Sequence, residues 1–288
     1  MTTSQRSGWT GFFMVVPYLL FFSAFSLLPI LYGFRISFYE WTLIGERKFV
    51  GLHNYASLFT DEEFLSNTWH TVMFAMVSVP LLSALGLFLA LLANGLVRGQ
   101  TLFRAAVFLP MLLSVSVISS IWVIFLQPYT GLISQVLGRL GASEEIYWLS
   151  DPVLAWVSII LSTLWWTVGF VFILYLAGLQ DIPATHYEAA KMEGASRLES
   201  FRYITFPSLS RVTVLVVVLQ TISSFKIFGQ SKLITQGGPA GSTKTMVFSI
   251  YEKGFQYFEL GYASAISFVL LLIILLISML QFTLLRER

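Results

Sequence analysis

From Pro152 to Gln180 the chain carries no charged side chain: PVLAWVSIILSTLWWTVGFVFILYLAGLQ is bracketed by Asp151 and Asp181. A helix rises about 1.5 Å per residue and the hydrocarbon core of a bilayer is about 30 Å thick, so roughly 20 apolar residues cross it once. A run this long restricts the chain to the membrane class, because a soluble core has no place for it. Similar runs cover about 11–34, 68–93, 105–127 and 260–285, with His70 the only ionisable residue of the second. A fifth, between Arg211 and Lys226, is short and is expected to borrow Tyr203 to Ser210 or to extend to Phe228. Continuous apolar runs favour spanning helices over the alternating strands of a membrane barrel. The expectation is an all-α integral membrane protein with six transmembrane helices, a mean hydropathy of +0.78 agreeing with that class.

The beginning, MTTSQRSGWTGFF, has one Arg before an apolar run, as a signal peptide does. Uncharged sequence continues from Ser7 to Phe34, beyond the ~7–15 residues of a signal core, so the segment reads as a retained span. Orientation follows from Lys and Arg in the loops. The short loop from Asn94 to Arg104 holds Arg98 and Arg104 and no acid, whereas the loops on the other side carry Asp61, Glu62, Glu63, Glu144, Glu145 and Asp151. Both termini, including Arg6 and Arg288, are therefore expected inside. On this reading the chain is one six-helix domain over 11–285, with inner segments 1–10 and 286–288. Outer loops occupy 38–67, 128–151 and 229–259, and one charged inner loop occupies 181–211.

That inner loop is the chemical outlier. Asp181, Glu188, Lys191, Glu193, Arg197, Glu199, Arg202 and Arg211 gather in a chain of which only 11% is charged. Thr185-x-x-Glu188 and Ser196-x-x-Glu199 each have capping-box spacing, and Gly194 sits where a first helix should end. Ala189 and Ala190 leave a flat surface for a close approach, while Tyr187, Met192, Leu198 and Phe201 are too apolar for a solvated loop. Two readings fit: an amphipathic loop lying on the membrane surface, or a docking element for another protein.

Several function classes fall away. A net charge of +2 with scattered basic residues does not describe a nucleic-acid binder. Three isolated His and no Cys provide no metal constellation, no paired carboxylates lie inside the spans, and no spacing supports a catalytic nucleophile. The chain is not read as an enzyme. Ion-coupled carriers place carboxylates or paired ionisable groups within the membrane, and this chain has none near a span centre. It has no Gly-Lys pair, hence no GxxxxGK[ST] loop to cradle nucleotide phosphates. An ion-coupled sugar carrier and a non-transporting membrane scaffold stay open as alternatives to a transport subunit powered by another chain.

A translocated polar solute needs hydrogen-bonding and aromatic groups inside the membrane. Thr163, Trp166, Thr167 and Phe170 share one face of the fourth span at i, i+3, i+4 and i+7, and Gln220, Ser223, Ser224 and Ile227 repeat that spacing on the fifth. These residues are path candidates; equally, Ser, Thr and Gln glue membrane helices together. Gly86, Gly169 and Gly178 are expected to permit close packing of helices. The aromatic outer segment with Trp41, Phe49, Tyr55, Phe59 and Phe64 is expected to lie in the membrane interface.

Glu188-Ala189-Ala190, then Gly194-Ala195, Phe201, Ile204-Thr205 and Pro207 resemble the EAA loop of permease subunits of binding-protein-dependent ABC importers. Departures are mild: Glu193 stands where Asp is frequent, Glu199 where Gln is, and Ser210 near a second Pro. FVGLHNYASLFTDEEFLSNT (49–68), FRAAVFLPMLLS (103–114), LITQGGPAGSTKT (233–245) and LGYASAISF (260–268) extend the resemblance to the carbohydrate branch, in its maltose-permease-like first subunit. It implies the ABC importer permease fold in a bacterial or archaeal cytoplasmic (inner) membrane. Its implied partners are a second permease subunit, two ATPase subunits that hold ATP and magnesium, an extracytoplasmic sugar-binding protein, membrane lipid and a carbohydrate substrate. No cofactor is implied on this chain. The ATPase-coupling role falls on Glu188, Ala189, Ala190, Met192, Gly194, Ala195, Leu198, Phe201 and Pro207.

Overall fold

The computed structural model describes residues 3–42, 47–96, 98–141 and 145–286; Glu144 and Arg288, which entered the charge argument, lie outside these, as do residues 1–2. The chain is almost wholly helical and divides into two compact units, residues 1–62 with 249–269 and residues 63–248 with 270–288.

In the first unit, helical chain runs through Thr3–Phe22, a π-turn at Ser23–Leu27, and Leu28–Ile36. A two-stranded antiparallel ribbon follows, pairing Tyr39 with Phe49 and Glu40 with Lys48, and then a short helix, His53–Leu58. Asn54 is the fastener: its buried carboxamide donates to the carbonyls of Ser37 (2.8 Å) and Tyr39 (3.0 Å), which the helix end and the ribbon leave without partners. Sequence-distant chain closes on the same place, with Thr42 bridged to Glu259, Tyr262 donating its hydroxyl to Asp61, and Gly261 against the Tyr39 carbonyl. A side chain at Gly261 would collide with that backbone oxygen. Phe49 and Phe59 are exposed, and the Tyr55 hydroxyl meets Ser37 Oγ at 2.6 Å.

The second unit is organised around the helix Pro152–Gln180, which has thirteen buried positions. Asp151 starts it, its carboxylate accepting from the amides of Val153 and Leu154, and Pro152 occupies the first turn, where no amide is missed. Val168, Val171, Phe172, Tyr175, Leu176 and Leu179 pack with Leu82, Ala90 and Ala93 of the helix Glu62–Gly95 and with Leu209 and Val216. In a bilayer, lipid is as apolar as the helix, so close packing of small residues replaces water exclusion as the source of association. The three expected glycines act in that way. A Cβ at Gly86 would meet Val171, one at Gly169 the backbone of Val107 and Phe108, and one at Gly178 the side chains of Leu209 and Val212.

Among the described residues, four helical stretches are long and apolar enough to cross a membrane: Met14–Ile36, Glu62–Gly95, Pro152–Gln180 and Leu260–Leu284. The third and fifth expected spans are bent. Gln100–Leu112 and Val115–Phe125 meet at 100°, so 105–127 is not one straight helix. Pro110 lies in a 3₁₀ turn, Leu113 is extended (φ −81°, ψ 149°), and Ser114 caps a new helix by accepting from the Val117 amide. Arg197–Ser208 and Ser210–Phe225 meet at 62°. The fifth stretch thus borrows upstream chain and does not extend to Phe228; it ends at Phe225, with Lys226 as its C-cap.

Candidate functional site

The charged loop folds as two short helices joined at a glycine. The first, Ala184–Met192, begins after Pro183, whose ψ of 132° makes it the last non-helical residue. Thr185 therefore lies inside the helix and cannot cap it, so the first expected capping box does not form. Pro183 displaces it because a proline excludes the residue before it from helical backbone and is itself pre-set for the helix edge. Gly194 ends this helix at φ 82°, a backbone region that side chains with a Cβ adopt only with strain. The second expected box does form. Ser196 N donates to Glu199 Oε2 at 2.7 Å, and Glu199 N donates to Ser196 Oγ at 3.3 Å.

The Ser196 backbone N–H holds the Glu199 carboxyl below the usual carboxylate range. Because the folded-state value is depressed, this contribution is present at neutral pH and is lost as pH falls through the lowered value. Ser196→Ala is expected to speed amide exchange across Arg197–Ser200 at pH 7, with Ser196→Asp restoring protection; hydrogen exchange read by mass spectrometry checks it.

Tyr187 and Thr205 tie the two short helices together through a 2.9 Å hydroxyl contact. The face left outward is apolar as well as charged: Met192 is 89% exposed, Leu198 74%, Tyr203 70% and Phe206 55%. Glu188, Ala189, Gly194 and Pro207 are also exposed, whereas Ala190, Ala195 and Phe201 are half-buried. The coupling candidates thus surround one turn and leave a mixed surface of thioether, aliphatic and carboxylate groups.

A second site lies among the helices of the same unit. Thr163, Trp166, Thr167, Gln220, Ser223, Ser224 and Ile227 line a cleft of about 430 Å³ together with Phe74, Leu82, Val115, Lys226, Phe228, Gly229 and Gln230. The two stripes read from helical spacing therefore face one space, except for Phe170. That residue is half-buried, lies one turn beyond Thr167 and does not line the cleft.

Part of the polar lining is already hydrogen-bonded, within its own helix or to a neighbour. Thr163 and Thr167 donate back to the carbonyls of Ile159 and Thr163 at 2.8 and 2.7 Å, and Ser224 meets Ser78 of the neighbouring helix at 3.0 Å. Trp166 Nε1 donates to Leu113 O at 3.1 Å, satisfying a carbonyl freed where the third stretch breaks. Gln230 reaches Thr163 Oγ1 at 3.3 Å. The Gln220 carboxamide is different: only 5% exposed, it lines the cleft without a hydrogen-bond partner among the described residues. Buried amides are normally paired, so it is a group open to a polar visitor.

Sequence reasoning missed Lys226, Phe228, Gly229 and Gln230, because past a helix end no periodicity says which way a side chain faces. Lys226 also lines the cleft, just past the end of the helix at Phe225. Among the described residues no group of three or more His, Cys, Asp or Glu side chains is placed to hold a metal.

The chain as a whole is similar to known proteins. Residues 62–287 match the family model described as the binding-protein-dependent transport system inner membrane component. The trehalose/maltose transport system permease protein MalF of Thermococcus litoralis is 35% identical over 94% of this chain and 91% of its own. The lactose transport system permease protein LacF of Rhizobium radiobacter is 34% identical over the whole of both chains. Among solved structures, a chain of a bacterial ABC transporter that imports the acidic polysaccharide alginate superposes with a TM-score of 0.87, at 23% identity, over 98% of this chain and 96% of its own. Apolar helices, a charged helix–glycine–helix loop and a polar cleft between helices thus occur together in a chain that belongs to the family of binding-protein-dependent transport system inner membrane components.

Proposed function

We propose that the chain is one of two permease subunits of an ATP-driven carbohydrate importer in a bacterial or archaeal inner membrane. It forms half of the translocation path. Each bent helix pair makes one crossing, giving six spans with both termini inside. The single observation that carries the substrate reading is the cleft in which the partly exposed rings of Trp166 and Phe228 lie beside the unpaired Gln220 carboxamide. Sugars are held in that way, by rings against their apolar faces and by fixed amides and hydroxyls on their hydroxyl groups. Relatives named for trehalose, maltose and lactose transport support the class.

Power comes from elsewhere, because the sequence has no nucleotide-cradling loop. Two ATPase subunits receive the face that carries Met192, Gly194 and Leu198. Their ATP-driven closure pushes on residues 188–199, rocks the paired permeases and opens the cleft outward, and hydrolysis resets it. A sugar-loaded receptor delivers substrate from outside.

Purification of the chain from its native membrane in mild detergent tests the assembly. A second permease and two ATPase copies are the expected companions; a lone, stable chain or a homo-oligomer without ATPase overturns the proposal. A second test reads the cleft. The parent has no cysteine, so Ser223→Cys, which is exposed and lines the cleft, should react with an aqueous thiol reagent, while Phe172→Cys, fully buried in the core, should not. Equal inertness of the two positions would remove the aqueous path.

A further inference from the structure

Lys226 is the only charged residue among the described residues that line the cleft, and neither Asp nor Glu accompanies it. Its ammonium makes no ion pair, hydrogen bond or ring contact among the described residues. The contrast with the lysines of the following loop is informative. Lys244 is paired to Glu63 at 3.0 Å, and Lys232 lies over the Phe248 ring at 5.0 Å. The position at the end of the helix Ser210–Phe225 favours a cation through the backbone dipole, yet it supplies no acceptor for the ammonium protons. The side chain is exposed, so its ammonium stays available to an anion.

We infer that the carbohydrate accepted by this cleft bears an acidic group, a carboxylate or a phosphate, which Lys226 receives. This rests on the importer reading and makes its substrate class specific. Lys226 is exposed, and an anionic sugar in the cleft gains from it a charge-assisted hydrogen bond that a neutral one does not. Gln220 supplies a neutral donor and acceptor on the same wall for the hydroxyl groups. An unbalanced positive charge at the cleft also raises the local concentration of anions during approach.

Ser223→Cys in the purified complex provides the readout, as the rate at which an uncharged aqueous maleimide modifies this chain. Digalacturonate and trehalose 6-phosphate serve as the acidic probes, with the digalacturonate dimethyl ester and trehalose as their neutral counterparts. At least one acidic probe is expected to protect the cysteine at a concentration 10-fold or more below its counterpart, and which one does so separates carboxylate from phosphate. Adding Lys226→Gln should abolish that difference, and Lys226→Arg should keep it. Equal protection by acidic and neutral probes, protection by none of the four, or a difference that survives Lys226→Gln overturns the inference while leaving the importer reading intact. Loss of the ATPase from the purified complex would instead defeat the importer reading, and this one with it.

Discussion

Replacing Gly194 with valine should reduce sugar uptake by at least 10-fold while leaving the protein in the membrane at its normal level. Gly194 adopts φ 82°, where an L-residue with a branched Cβ is strained by one or more kcal/mol, roughly the cost of a left-handed conformation. Nothing lies within 4 Å of a Cβ built there, so no steric clash inside the chain confuses the result. Relief of the strain requires the turn between Ala184–Met192 and Arg197–Ser200 to open, which displaces Met192 and Leu198 from their common outward face. The spans are untouched, so insertion persists. Uptake by the complex, its ATPase rate and the ATPase recovered on purification should be measured together. A fall in uptake with persisting hydrolysis marks uncoupling, and a fall in recovered ATPase marks lost docking. Gly194→Asn, which enters the left-handed region more readily, should retain most of the activity. Wild-type uptake by the valine variant would show that the loop does not transmit the power stroke.

The second large effect concerns the fold. Gly169→Leu should abolish accumulation of the folded chain, and Gly169→Ala should lower its thermal unfolding midpoint in detergent by several degrees. A Cβ at this position would stand 2.8 Å from the Val107 carbonyl oxygen and 3.0 Å from Phe108 Cα. Both are backbone atoms and cannot rotate away, so the helix Pro152–Gln180 must retreat from the chain it packs on. Overpacking of this kind costs roughly 1–3 kcal/mol for small additions and more for large ones. Gly86→Ala should lower the midpoint likewise, since a Cβ there would stand 2.4 Å from Val171 Cγ1 and 2.9 Å from its Cβ, which no rotation moves away. Should Gly169→Leu accumulate normally and take up sugar, the close approach at this crossing would be absent from the working protein.

These two glycines show how unevenly the fold was written in the sequence. Gly169 was legible as a packing position because glycine inside an uncharged run has few other uses in a membrane helix. What it packs against was not, because Val107 and Phe108 belong to a stretch whose continuous hydropathy concealed a break. Pro110 and Ser114 were both visible, but hydropathy records only whether lipid tolerates a residue and not whether the helix axis continues through it. The same limit applied at Thr185, where the spacing of a capping box was present and Pro183 set the helix start two residues too early for Thr185 to serve.

The candidate cleft divides in the same way. Helical periodicity brought Thr163, Trp166 and Thr167 to one face and Gln220, Ser223, Ser224 and Ile227 to another, because 3.6 residues per turn is a property of the backbone alone. That the two faces line one space, that Phe170 falls outside it, and that Gln220 lacks a partner while Ser224 has Ser78 are facts of helix crossing. No spacing within a single helix contains them.

By itself, then, the sequence determined the membrane class, the amphipathic inner loop with its glycine turn, and the faces on which polar side chains lie. Each of these follows from local quantities: transfer free energy summed along a run, backbone dihedral preference and helical period. Tertiary structure alone decided the bend at Leu113, the pairing of Ser224 with Ser78 and of Trp166 with the Leu113 carbonyl, and the helix end at Phe225 that leaves Lys226 lining the cleft without a counter-charge. These depend on which distant backbone groups arrive close enough to hydrogen-bond or to exclude a side chain, and pairing between remote segments is not encoded in any local window of residues.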